Sequence, residues 1–139
     1  NIKNENLNLI ERALFNKDND RIKFFKPPLQ KEISHSINNW QNDYSKETDY
    51  IEVSTITIKS IIEEYNIENI PLLKIDIEGE EIPALSSFFN HASISLWPRL
   101  IICEIFGPDG HLLQKLLEAN GYKRTGISKM NAIFRLSQI

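Results

Sequence analysis

Lys74, Asp76 and Glu78 alternate with Leu73, Ile75 and Ile77 just ahead of Gly79. A side-chain period of two would place the lysine and both acids on one face of a strand from Leu72 to Ile77, with the three apolar residues on the other. A charge buried without a partner is costly, so such a face points to chemistry rather than packing. Two carboxylates two positions apart have Cα atoms about 6.5–7 Å apart. They can orient hydroxyls, act as a general base or hold a divalent ion. A second apolar run, Pro98 to Ile105, carries Glu104 near its carboxyl end. In an open parallel sheet, ligands gather at that end of the strands, where three acids would meet. Lys74, one strand repeat deeper, serves to neutralise them. The plainer alternative has Glu78 capping the turn and Glu104 pairing with Lys74 or Arg99; for Asp76 the strand-end position favours a site.

Other chemistries find little support. His35, His91 and His111 lack metal-ligand spacing. No Ser, Cys or His sits in a nucleophile-elbow context. Cys103, inside an apolar run, reads as a core residue. The five glycines are not clustered, so no phosphate loop is present.

The elements that must position the acids fit one domain of 139 residues, 41% hydrophobic and 25% charged. A net charge of −3 gives no electrostatic reason to expect nucleic acid or an anionic membrane as partner. No apolar run approaches the roughly 20 residues of a membrane span. A single cysteine fits a reducing, cytoplasmic setting. Leu7 to Ala13 and Arg21 to Phe25 predict two strands forming a hairpin, the second closed by Pro27-Pro28. Residues 26–50 predict an irregular excursion in which Trp40 and Tyr44 serve as tacks or face a substrate. Ile51 to Ile58 alternates as a strand and Lys59 to Asn66 follows as a short helix with Ile61, Ile62 and Tyr65 inward. Gly79 permits a sharp turn into a helix from Glu80 to about Phe89, with Ile82, Leu85, Phe88 and Phe89 on its apolar side. Acids suit that helix's first turn, and Pro83 loses little there. Gly107-Pro108-Asp109-Gly110 predicts a loop. His111 to Asn120 follows as a helix with Leu112, Leu113, Leu116 and Leu117 at helical spacing, stopped at Gly121. Tyr122 to Ser128 and Ala132 to Ser137 predict a closing antiparallel pair. From Pro71 onward the order is β-α-β-α-β-β, the second half of a mostly parallel α/β sheet.

Leu73-Lys74-Ile75-Asp76-Ile77-Glu78-Gly79-Glu80-Glu81 resembles the L-K-I-D-V-E-G-x-E signature of the FkbM-type methyltransferases. Ile56-Thr57-Ile58 is similar to the family's upstream T-L-D, with Lys59 following in place of an acid. The resemblance continues in Pro98 to Glu104, in Gly121-Tyr122 and in Asn131-Ala132-Ile133-Phe134, with Arg12-Ala13-Leu14 similar to the segment after the family's third strand. It implies a single class I, Rossmann-like methyltransferase domain over residues 1–139, with a mostly parallel sheet, a C-terminal antiparallel hairpin and an incomplete N-terminus. It also implies S-adenosylmethionine as cofactor and O-methylation of a hydroxyl on a sugar, lipid or secondary metabolite.

On the positions that match, Asp76 and Glu78 would be catalytic and Ala13, Leu14 and Asp76 would contact the cofactor. Glu104 and Lys74 would face a small-molecule or glycan acceptor, with no metal assigned. The family's first strand, its glycine-rich loop and the acid-bearing second strand would all precede Asn1. The expectation is therefore weak cofactor binding by this chain, and self-association through an unpaired edge of the 72–77 strand. Two rivals stay open: a divalent-metal hydrolase using Asp76, Glu78 and Glu104, and a non-catalytic module retaining the second half of the fold.

Overall fold

The computed structural model describes residues 7–25, 50–105 and 107–137. The 26–49 part of the expected excursion, with Trp40 and Tyr44, lies outside them. Two sheets and three α-helices make up a mixed α/β arrangement. The first sheet holds β1 (Ala13–Leu14), β2 (Arg21–Phe25) and β3 (Tyr50–Ile56) in the order β1-β3-β2. The second holds β4 (Leu72–Ile75), β5 (Leu100–Glu104), β6 (Tyr122–Ser128) and β7 (Asn131–Leu136) in the order β4-β5-β7-β6.

The expected hairpin of residues 7–13 with 21–25 does not form. Strand pairing begins only at Ala13, and both segments pair with β3 instead, β1 in parallel and β2 antiparallel. The wanted partner was a strand that could satisfy both, and the seven-residue β3 is long enough. Nor is the sheet mostly parallel. β4 and β5 run parallel, but β5–β7 and β6–β7 are antiparallel, so the second sheet is mixed.

The turn between β1 and β2 is tied to the end of β3 by polar contacts. Asp18 accepts the Thr57 amide at 2.7 Å and the Ser60 hydroxyl at 2.8 Å. Thr57 is the N-cap of α1 (Ile58–Glu64) and accepts the Ser60 amide, satisfying one of the helix's free donors. The helix starts one residue earlier than its sequence pattern suggests, with Ile58 and Ile62 buried. Burial works to raise the Asp18 carboxyl, but its hydrogen bonds from Thr57 and Ser60 and the nearby Lys59 together hold it below the ordinary aspartate value of 3.8.

Helices α2 (Glu81–His91) and α3 (Gly110–Ala119) cover one face of the second sheet. Pro83 sits in the first turn of α2, where an amide has no intrahelical partner to lose. Leu85 and Phe88 from α2 and Leu113 and Leu117 from α3 cluster with Ile75, Ile101, Cys103 and Phe134 of the sheet. Leu112 is not part of that face; it is 44% exposed. Ile75 is 2% exposed, whereas Ile77, expected to be equally buried, is half-buried because the strand has already ended. Gly121, at φ 83, takes the left-handed conformation that stops α3 and turns the chain into β6. Tyr122 then donates its hydroxyl to the Pro98 carbonyl at 2.8 Å, locking β6 to the entry of β5.

Candidate active site at the ends of β4 and β5

β4 stops at Ile75, one residue before Asp76. The physical reason lies six residues on. Glu81, at the start of α2, turns its carboxylate back and accepts the Ile77 amide at 2.7 Å and the Gly79 amide at 2.9 Å. Those donors would otherwise leave the strand without partners, and a carboxylate satisfies both with charge-assisted bonds. Gly79 takes φ 104, and Glu78 takes φ 55, a left-handed conformation that costs a non-glycine residue roughly 1 kcal/mol. Glu78 therefore leaves the strand face it was expected to share with Lys74 and Asp76, and projects from a turn.

β5 runs one residue past the register of β4, with Cys103 opposite Ile75, and ends at Glu104. Beyond it, Gly107-Pro108-Asp109-Gly110 leads into α3. Gly110 is buried so tightly that a Cβ there would lie 1.8 Å from the Ile105 carbonyl oxygen. Only glycine lets the helix begin this close to the end of β5.

These two turns enclose a cleft of about 690 Å³, within the size range of small-molecule sites. Asp76, Glu78, Glu81, Glu104 and Asp109 line it together with Ile82, Leu113 and the backbone of Gly79, Gly107 and Gly110. Among the described residues, no Lys, Arg or His lines it. Asp76 and Glu104, expected to meet from neighbouring strand ends, do share this cleft. Lys74 stands outside the lining and pairs with Asp76 at 3.1 Å, with both side chains largely in water. Such a pair is worth at most about 1 kcal/mol, so it orients Asp76 more than it stabilises the fold. Neither Lys74 nor Arg99 forms an ion pair with Glu104 among the described residues.

Ala13 and Leu14 are in β1, away from the cleft lining, and Leu14 packs against the core. Among the described residues, no three of His, Cys, Asp and Glu are placed to hold a metal ion. The acids line one cleft without converging on one point. Cys103 is fully buried, and burial, with Glu81 adding to it, pushes its thiol up to about 12, so it is no nucleophile at neutral pH.

The sequence reading missed three contributions. Glu81 looked like an ordinary helix-start acid; the signal available was a glycine turn whose amides needed an acceptor within reach. Asp109 and the close approach at Gly110 looked like a plain loop. Asn131 is the cross-strand neighbour of Glu104, and its Oδ1 is buried with no hydrogen-bond partner among the described residues.

A mixed α/β domain with an acidic cleft at the carboxyl ends of two parallel strands describes a general class of small-molecule enzyme site. The comparison with known families is more specific: residues 2–124 match the family described as the methyltransferase FkbM domain. The chain belongs to that family. No curated protein and no solved structure matches it. Among the described residues no helix is long and apolar enough to cross a membrane.

Proposed function

We propose that the cleft between β4 and β5 is the site of an S-adenosylmethionine-dependent O-methyl transfer to a hydroxyl of a sugar, lipid or secondary metabolite. The observation that carries this reading is the cleft lining. Among the described residues the lining has five carboxylates and no cation, which suits a ligand that brings positive charge and hydroxyl groups, in a chain of a methyltransferase family. The donor set fits the cofactor: carboxylates can accept from an ammonium and from ribose hydroxyls and favour a nearby sulfonium. When bound, S-adenosylmethionine supplies an electrophilic methyl group for in-line attack by an oxygen.

The chain's own residues do the rest. Asp76, at the mouth of β4 and held by Lys74, accepts the proton of the attacking hydroxyl. Glu104 approaches from β5 and orients the acceptor, and Glu78 holds a second hydroxyl from its turn. Glu81 keeps both amides of that turn occupied, fixing Asp76 and Glu78 relative to α2. Ala13 and Leu14 flank the adenine in this proposal, on the strength of the family resemblance.

The test is transfer of a labelled methyl group to a panel of hydroxyl-bearing glycans and lipids. Asp76→Asn is expected to lower the rate about 10²-fold or more, and Glu78→Gln to lower it less. Undiminished turnover in Asp76→Asn would end the assignment of the base.

A further inference from the structure

The two faces of the second sheet differ. Register places Ile101 with Phe134 and Ile75 with Cys103 and Ala132 on the helix-covered side, all buried. On the opposite side the rows read differently. The first is Leu72, Leu100, Arg135 and Lys123; the second is Lys74, Ile102, Ile133 and Gly126; the third is Glu104, Asn131 and Ser128. Leu72 is 50% exposed, and Leu72, Leu100, Ile102 and Ile133 take no part in the core cluster or its packed surround. Gly126 has no side chain of its own, and the Ile133 side chain lies over it.

Charge is distributed unevenly along this face. Lys123 and Arg135 are exposed cross-strand neighbours, and neither has a carboxylate partner among the described residues. Two like charges directly opposite one another destabilise a sheet, so this pair costs the isolated chain stability. Glu104, at the far end of the same face and on the adjacent strand pair, makes no ion pair among those residues either. One end is basic and the other acidic; the middle holds Ile102 and Ile133, with Lys74, paired to Asp76, at its β4 edge. A two-fold axis through Ile102 and Ile133 exchanges the ends. It sets Arg135 and Lys123 of one copy against Glu104 of the other, twice over, with Ile102 and Ile133 packed between. An isologous interface requires that self-complementarity.

We propose that this sheet face is where a second copy of the chain docks, in face-to-face sheet packing. The contact also brings a guanidinium to the rim of the acidic cleft, since Glu104 belongs to both. The apolar side chains of Leu72, Leu100, Ile102 and Ile133 favour a protein surface over a polyanion as occupant, and the matched ends favour a copy of itself. The proposal does not depend on the methyl-transfer reading.

The test uses two charge variants of the full chain and sedimentation velocity at high-micromolar concentration. Wild type is expected to dimerise, less so as salt rises. The acidic variant, Lys123→Glu with Arg135→Glu, and the basic variant, Glu104→Lys, should each associate about tenfold more weakly or worse, with unchanged circular dichroism. Mixed, they restore both opposite-charge contacts and should form a one-to-one heterodimer. A wild type that stays monomeric, or variants that self-associate as it does, would overturn the proposal, as would a mixture that recovers nothing.

Discussion

Glu81 shows how much of the site depends on one side chain outside the obvious motif. It serves two amides, Ile77 and Gly79, that the end of β4 leaves without partners. Truncating it strips charge-assisted bonds from both, and Glu81→Ala is expected to destabilise by about 1–3 kcal/mol, with faster hydrogen exchange at those two amides in particular. A loss of stability without that local signature would place its role elsewhere. Asp18 is the counterpart in the turn between β1 and β2. Its carboxyl titrates below 3.8 in the folded chain, so the stability it contributes is present above 3.8 and disappears as pH falls through the lowered value. Asp18→Asn should therefore lower stability at neutral pH and flatten the acid limb of the stability profile below 3.8. Parallel acid limbs in wild type and variant would contradict the assigned contacts. Asp76 and Glu104 were legible in the sequence as acids near strand ends. Glu81 was not, because its importance comes from backbone donors that no side-chain pattern displays.

At the scale of elements, the clearest constraint is the approach of α3 to β5. Gly110→Ala would drive a methyl group to 1.8 Å from a backbone oxygen that cannot rotate away. The expected cost exceeds about 3 kcal/mol. Gly107, three residues earlier, has nothing within 4 Å of its own notional Cβ, so Gly107→Ala should leave stability nearly unchanged. Equal effects from the two, measured by denaturant unfolding, would show that the loop rather than the contact is decisive. A second pair separates centre from edge: Ile75→Ala should cost about 2–5 kcal/mol, Leu72→Ala much less. The helices and the closing hairpin were legible because α2, α3 and β7 carry apolar residues at regular spacing and Gly121 stops α3. Two elements misled the reading for physical reasons. The apolar Ile77 continued the alternation of β4 past its true end, because the pattern carries no record of which amides Glu81 captures. The N-terminal strands suggested a hairpin because they are close in sequence, whereas β3, remote from both, satisfies each of them.

For the whole molecule, the two sheets are joined mainly through α1 and α2. The Arg12–Glu64 ion pair ties the chain before β1 to α1, and the Ser87 hydroxyl on the Asn16 carbonyl ties α2 to the β1–β2 turn. The helix-covered face carries the core, the turns after β4 and β5 carry the cleft, and the opposite face carries the proposed contact with a second copy. The mixed sheet follows from β7, which enters antiparallel beside β5 and so shields it on the side away from β4. The reading as a methyltransferase comes to rest on whether the acidic cleft receives the cofactor and its acceptor. An amide-resolved NMR titration of the isotope-labelled chain with S-adenosylmethionine tests this directly, and it registers weak binding as well as strong. The account predicts shifts concentrated at residues 76–82 and 107–113, with further shifts at Ala13 and Leu14, all reduced in Asp76→Asn. Shifts centred on any other surface, or none at these residues at saturating cofactor, would contradict it.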